Sequence, residues 1–93
     1  MKAKDSGRPP RPPIDTPAYM LMVARLIRNA GKRVSDANVE DLQSLIELRD
    51  DLDAAILRAV IGLRVSGATW QEIGNATGTT RQAAIQKWAH KVG

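Results

Sequence analysis

The chain has 93 residues, no cysteine and a single histidine. A chain this short folds as one small domain without the volume for a large internal active site, so binding is favoured over catalysis. The composition also excludes disulfides, thiol nucleophiles and zinc sites built from Cys and His. The formal net charge is +4, and the longest apolar run, residues 18–24, is too short to cross a bilayer. We therefore expect a soluble cytoplasmic protein with no cofactor, no metal and no membrane partner.

The first fifteen residues differ in composition from the rest of the chain. The stretch "MKAKDSGRPPRPPID" holds one Ile and four Pro. It therefore offers too little apolar surface to offset the entropy of ordering. We predict a flexible, basic, Pro-rich arm over residues 1–15 and a folded domain over residues 16–93.

Apolar residues recur at helical spacing over the next fifty residues. Thr16 and Pro17 predict a helix start, and Gly31 predicts its end near Ala30. The apolar face of this helix is formed by Tyr19, Met22, Val23, Leu26, Ile27 and Ala30. We expect this apolar face to pack against another element.

A second helix is predicted after a cap at Ser35 or Asp36, with Val39, Leu42, Leu45, Ile46 and Leu48 as its apolar positions. The charged "RDDLD" then interrupts, and Asp50 or Asp51 can cap a third helix that ends at Gly67. Alternatively, the second and third helices form one bent rod. No stretch alternates with period two, so we expect no sheet.

The C-terminal stretch predicts two more helices, from Trp70 to Thr77 and from Thr80 or Arg81 to about Lys91. The predicted fold is therefore all-α, with four to five helices. Trp70 and Trp88 fall at helical spacing with apolar neighbours, which favours core positions over base-stacking platforms. His90 lies near a helix end and has no second ligand beside it.

The block "TWQEIGNATGTTRQAAIQKW", residues 69–88, resembles a helix-turn-helix, in a version similar to sigma-factor region 4 and to small actinobacterial or phage DNA-binding proteins with "SWxEIGxxLGVSRQAA". The preceding "EDLQSLIELRDDLDAAILRAVIGLR" is similar too. Gly74 then has to be small where the second helix crosses, Gly78 permits the turn, and Ala84 faces the first helix. The pattern usually has Leu at Thr77 and Val or Ile at Thr79, so two core contacts are weaker here.

The resemblance implies a helix-turn-helix at 69–91 whose recognition helix, 80–91, enters the major groove of double-stranded DNA. The outward positions of that helix would be Thr80, Arg81, Gln82, Ile85, Gln86 and Lys87. Arg suits guanine, Gln suits adenine, and an apolar side chain suits the thymine methyl. The helix start at Thr80 is also suited to a phosphate. The competing interpretation of Gln82 and Gln86 is that they are simply solvated.

The arm adds two candidate DNA contacts, Arg8 and Arg11. Its Gly-Arg-Pro is similar to the core of minor-groove arms, although Ser6 stands where such arms usually have Arg. A solvated tail remains the alternative, as does a Pro-x-x-Pro segment docked on an aromatic groove.

The segment 36–53 carries seven carboxylates against Arg49 and should face away from phosphate. We expect a sequence-specific regulator or architectural protein on the nucleoid, and a homodimer that reads an inverted repeat. The alternative function is a protein-interaction module that binds a partner through its acidic helical face, 36–53. Asp50, Asp51 and Asp53 lie in a solvated charge run without an activated base or nucleophile, so we expect no catalytic residues and no enzyme.

Overall fold

A computed structural model describes residues 15–92, and the side chain of Val92 is not described. Helix α1 spans Thr16–Ser35, α2 spans Asp41–Val65 and α3 spans Trp70–Ala76. The last helix, α4, covers residues 81–92 in three consecutive segments, which are α-helical Arg81–Ala84, π-helical Ile85–Ala89 and α-helical His90–Val92. Between residues 15 and 92 the chain forms no strand, which confirms the all-α prediction. It divides into two compact units at the boundary between Leu42 and Gln43.

Helix α1 starts and ends differently from the prediction. Asp15, not Thr16, is the N-cap, and its carboxylate accepts a hydrogen bond from the Ala18 amide at 2.9 Å. Thr16 and Pro17 occupy the first turn, where a missing Pro amide costs nothing. The helix also continues through Gly31 to Ser35, because a Gly inside a helix weakens it by only about 1 kcal/mol.

The predicted apolar face of α1 is exposed. No residue of α1 is buried, and Tyr19, Leu26 and Ile27 are 49%, 60% and 44% exposed. Val23, Ala30 and Val34 are half-buried. This amphipathic helix therefore leaves most of its apolar surface open to another element.

Helix α2 is one continuous helix of 25 residues. The prediction of a separate third helix is therefore wrong, and the alternative, in which the second and third predicted helices are continuous, is confirmed. Asp50 and Asp51 lie in the interior of α2 with exposed side chains. An Asp in a helix interior costs well under about 1 kcal/mol, and no Gly or Pro stands beside these two residues to break the helix. The predicted cap at Ser35 or Asp36 is also wrong. Ser35 is the last residue of α1, and its hydroxyl donates to the Lys32 carbonyl at 2.7 Å.

Helices α2 and α3 end in the same kind of turn. The amide of Ala68 donates to the Leu63 carbonyl and that of Gly67 to the Arg64 carbonyl, with Gly67 at φ 105°. After α3, the Thr79 amide donates to Gly74 and the Gly78 amide to Asn75, with Gly78 at φ 71°. Both are Schellman motifs with the left-handed glycine that they favour. The predicted stop at Gly67 and the predicted turn at Gly78 are therefore confirmed.

The core lies in the second unit and is small. Its buried residues are Val60, Ile73, Ala84 and Trp88, with Leu57, Ala68 and Trp70 packed partly buried against them. Ala84 and Trp88 are core positions that the sequence predicts, and Ile73 of α3 and Val60 of α2 complete the cluster. Trp70 packs partly buried against this core, which agrees with its expected position. This core fixes α3 and α4 against the C-terminal half of α2.

Candidate nucleic-acid interface

The start of α4 is defined by local hydrogen bonds. Thr80 is its N-cap, with an extended backbone and a hydroxyl that accepts from the Ala83 amide at 3.0 Å. The preceding α3 starts with a full capping box, in which the Thr69 hydroxyl accepts from the Glu72 amide and the Glu72 carboxylate accepts from the Thr69 amide. Both caps satisfy amides that the first helical turn leaves free. The two helices therefore have fixed starting points on either side of the turn.

The approach of the two helices depends on Gly74. A Cβ at this position would lie 2.7 Å from the Thr80 carbonyl oxygen and 3.0 Å from the Arg81 amide nitrogen. Both atoms belong to the backbone and cannot rotate away. The close crossing that the sequence predicts at Gly74 is therefore present, and it places the α4 N-terminus directly against α3.

One face of α4 is anchored in the core and the opposite face is exposed. Ala84 is fully buried and Trp88 is 7% exposed, whereas Arg81, Gln82, Gln86 and Lys87 are exposed. Gln82 lies in the first, α-helical turn of α4, and Gln86 lies in the segment that follows it. The structure thus brings four of the predicted site residues onto the open surface of α4.

Ile85 is not one of these exposed residues. It is half-buried and directly follows the fully buried Ala84. Thr80 is exposed, but its hydroxyl is already used for the cap. Ile85 is thus less exposed than the other predicted site residues of α4, and the Thr80 hydroxyl serves the helix itself.

The middle of α4 is π-helical over Ile85–Ala89. Such segments hold one residue more per hydrogen-bonded ring than an α-helix and occur mostly as single turns inside α-helices, often at functional sites. Gln86 and Lys87 belong to this segment, whereas Arg81 and Gln82 belong to the α-helical turn before it. The two pairs of exposed residues are consequently not related by a uniform α-helical repeat.

The C-terminal part of the sequence is mostly positive, although Asp53 of α2 lines the same cleft as Lys87 and Lys91 of α4. Residues 57–93 contain Glu72 as their only carboxylate side chain, against five Lys and Arg, and Glu72 is hydrogen-bonded at 2.8 Å to the Thr69 amide. The Lys87 ammonium lies 5.2 Å from the centroid of the Trp88 ring. A cation–π contact at such an exposed site contributes only about 0.5–1 kcal/mol, so Lys87 remains available to an anion.

Two side-chain contacts, one across the Gly67 turn and one on α3, are absent from the sequence-based prediction. Arg64 stacks over Trp70 at 4.8 Å from the ring centroid, and its Nη1 donates to the Ala68 carbonyl at 2.9 Å. The two residues lie on opposite sides of the Gly67 turn, so helical spacing gives no signal for their contact. On α3 the Gln71 amide donates to the Asn75 side chain at 3.0 Å, a contact that the four-residue spacing does indicate.

The remaining predicted residues lie elsewhere or outside the described residues. Arg8 and Arg11 fall outside residues 15–92. Asp50, Asp51 and Asp53 are exposed on α2. Within the described part of the chain, no group of three or more His, Asp or Glu side chains is arranged to hold a metal ion, and no helix is long and apolar enough to span a bilayer.

Comparison of the chain with protein-family models, with curated proteins and with solved structures found no match.

Proposed function

We propose that this chain binds double-stranded DNA sequence-specifically, as a small transcriptional regulator or architectural protein of the nucleoid. In this proposal α3, the Gly78 turn and α4 form a helix-turn-helix, and α4 enters the major groove. The observation that carries it is the division of α4 into two faces. Ala84 and Trp88 hold the helix to the core, while Arg81, Gln82 and Gln86 are exposed.

The exposed side chains have the chemistry that base recognition requires. An Arg can donate two hydrogen bonds to guanine, and a Gln can pair with the donor and acceptor of adenine. Lys87 is suited to a phosphate, because an ammonium is a compact charge without a preferred plane. We assign direct base contacts to Arg81, Gln82 and Gln86, and a backbone contact to Lys87.

The rigid attachment of α4 to the rest of the domain favours a role in base recognition. Base recognition needs side chains that are held on a rigid element, since a small displacement removes paired hydrogen bonds. The backbone contact between Gly74 and Thr80, together with the caps at Thr69 and Thr80, supplies that rigidity.

The distribution of charge along the chain favours one orientation of the protein on DNA. The acidic segment 36–53 is repelled by phosphate, whereas residues 57–93 carry five basic side chains against Glu72. We propose that α4 and the basic arm, with Arg8 and Arg11, meet the duplex, and that the acidic half of α2 faces solvent or a partner. A homodimer would present two copies of α4 to an inverted repeat.

The test begins with selection of a preferred duplex from a random library by the full-length protein, followed by fluorescence anisotropy on matched and scrambled duplexes. Arg81→Ala and Gln82→Ala should each weaken binding to the matched duplex by about 1–3 kcal/mol while changing the scrambled one little. Arg49→Ala and Gln43→Ala are matched controls, because both are exposed on the acidic part of α2. They should leave both affinities unchanged.

Two outcomes would contradict the proposal. Equal losses on matched and scrambled duplexes would show that α4 does not read sequence. An absence of binding at low salt would remove DNA as the ligand and would favour the interaction module that uses the acidic face 36–53. Binding that weakens steeply with salt is expected, because each phosphate contact releases counterions.

A further inference from the structure

Helix α1 exposes an apolar surface that extends widely around its axis. Its exposed large apolar side chains are Tyr19, Met20, Leu21, Met22, Leu26 and Ile27. At about 100° per residue, Met20 and Met22 stand about 160° apart around the axis, and three of the other four lie within this apolar arc. Leu21 lies outside it. A helix that packs on a neighbouring element needs an apolar stripe of about 100°, so a single partner helix would leave part of the arc uncovered.

The charged side chains of α1 are all basic. They are Arg25, Arg28, Lys32 and Arg33, and residues 16–35 contain no carboxylate side chain. Arg25, Arg28 and Lys32 are exposed and fall within about 60° of one another, opposite the middle of the apolar arc. Arg33 lies at the edge of the arc, in the last turn of the helix. Helix α1 therefore has a wide apolar face and a cationic face.

Helix α1 takes no part in the hydrophobic core. The core cluster lies in the second unit, within residues 43–93, whereas α1 belongs to the first. No residue of α1 is buried. Attachment of α1 to an external surface would therefore leave the core intact.

We propose that α1 binds the surface of an anionic phospholipid membrane, in the plane of the interface and with the apolar arc towards the acyl chains. This mode is typical of helices that carry Lys and Arg on one face and large apolar side chains on the other. A lipid surface is continuous, so it can cover the whole arc. A helix that lies on a membrane need not cross it, so the proposal departs from the expected lack of a membrane partner, which rested on spanning length. It does not rest on DNA binding.

The charge of this part of the chain favours anionic over neutral lipid. A negative membrane surface attracts nearby Lys and Arg side chains over about one Debye length, which is about 10 Å at 0.1 M salt. A helix is about 10 Å across, so the cations opposite the apolar arc remain within this range. The fifteen residues before α1 add Lys2, Lys4, Arg8 and Arg11 against Asp5 and Asp15. Neutral lipid would gain nothing from these charges.

Co-sedimentation of the full-length protein with lipid vesicles tests the proposal. Vesicles of phosphatidylglycerol and phosphatidylcholine in equal parts should bind the wild type, and the binding should weaken as salt is added. Pure phosphatidylcholine should bind at least about tenfold more weakly. Equal binding to the two kinds of vesicle, or none to the anionic vesicles at low salt, would overturn the proposal.

Two leucine-sized pairs separate the apolar arc from other exposed apolar side chains. Met22→Gln combined with Leu26→Gln removes apolar area from the arc and should weaken binding to anionic vesicles by about tenfold or more. Leu48→Gln combined with Leu52→Gln is the matched control, because Leu48 and Leu52 are also exposed and four residues apart, on α2. The control should stay within about twofold of the wild type. Equal losses would overturn the assignment to α1.

Two arginine pairs separate the cationic face from the net charge of the chain. Arg25→Gln combined with Arg28→Gln should weaken binding to anionic vesicles by about tenfold. Arg49→Gln combined with Arg58→Gln removes the same charge from exposed positions of α2 and should change binding by less than about twofold. Far-ultraviolet circular dichroism should show both variants to be helical. Equal losses in the two pairs would mean that binding follows net charge, which would overturn the role of α1.

A fluorescent label distinguishes lipid from other partners of the arc. The chain has no native cysteine, so Met22→Cys and Leu52→Cys each accept one environment-sensitive label. Anionic vesicles should shift the emission of the Met22→Cys label to the blue and leave that of the Leu52→Cys label unchanged. A blue shift without vesicles that grows with protein concentration would overturn the proposal in favour of a second copy. Blue emission without vesicles at every concentration would overturn it in favour of docking within the chain, and a response to duplex DNA alone in favour of nucleic acid.

Discussion

At the scale of single residues, the contact at Gly74 is the least tolerant feature of the second unit. Gly74→Ala should lower the free energy of unfolding by about 1–3 kcal/mol, because its Cβ would meet the Thr80 carbonyl oxygen at 2.7 Å. Urea unfolding followed by circular dichroism measures the change. Gly62→Ala is the matched control, since a Cβ at Gly62, within α2, meets nothing within 4 Å. It should be neutral or stabilise by up to about 1 kcal/mol. Equal effects of the two substitutions would contradict the packing of α3 against α4.

The two faces of α4 make a second residue-scale prediction. Ala84 is fully buried, so Ala84→Leu should overpack the core and destabilise the protein by about 1–3 kcal/mol. Gln82→Ala, on the exposed face, should change stability by less than about 0.5 kcal/mol. Thermal melts of both variants decide the point. A larger loss for Gln82→Ala than for Ala84→Leu would mean that the helix register is wrong.

At the scale of secondary-structure elements, the capping box sets where α3 begins. Thr69→Ala removes the acceptor that holds the Glu72 amide at 3.0 Å and should cost about 1 kcal/mol of stability. Thr69→Ser keeps the hydroxyl and should cost at most a few tenths of that amount. Denaturant midpoints compare the two variants. An equal loss for both would indicate that the Thr69 methyl group, not its hydroxyl, stabilises the helix start.

Sequence reasoning succeeded for the elements whose ends have a local cause. The stop at Gly67 and the turn at Gly78 are predicted correctly, and at both positions the backbone adopts the positive φ that favours glycine. The predicted stop at Gly31 is wrong, because a Gly ends a helix only where the backbone leaves the helical region after it. The predicted caps at Asp50 and Asp51 are wrong for a similar reason. Acidic residues suit a helix start but do not create one when the preceding residues already continue the helix.

The candidate site was partly predictable. Trp88 is assigned to the core from its spacing, whereas the inward position of Ala84 and the outward positions of Gln82 and Gln86 come from the resemblance to a helix-turn-helix. The half-burial of Ile85 and the contact between Arg64 and Trp70 could not be predicted from the sequence. The first depends on how α4 lies against the core, and the second crosses a turn at a spacing that no periodic pattern describes.

At the scale of the whole molecule, assembly and stability should be coupled. If the exposed apolar face of α1 is covered in a dimer, folding gains stability from association, and the melting temperature must rise with protein concentration. Circular dichroism melts over a hundredfold dilution series provide the measurement. A melting temperature that stays constant over this range would contradict an assembly that contributes to folding.

The arm makes the second prediction at this scale, and it separates affinity from specificity. Lys2, Lys4, Arg8 and Arg11 precede the described residues. Deletion of residues 1–13 should weaken binding to matched and scrambled duplexes alike. It should also flatten the salt dependence by about 0.9 of a logarithmic unit for each phosphate that the arm neutralises in the full-length protein. Salt titrations of full-length and truncated protein test this, and an unchanged slope would identify the arm as a solvated tail.

The π-helical segment of α4 has an evolutionary consequence. Because its rings hold one residue more than those of an α-helix, removing a single residue between Ile85 and Ala89 could return the helix to a regular α-helix. Because the extra residue is taken up within one widened turn, such a deletion would leave the side chains before and after the segment close to their present directions. Related chains that differ by a single codon in this segment would therefore keep the same packing of α4 on the core, while the exposed side chains within the segment itself change.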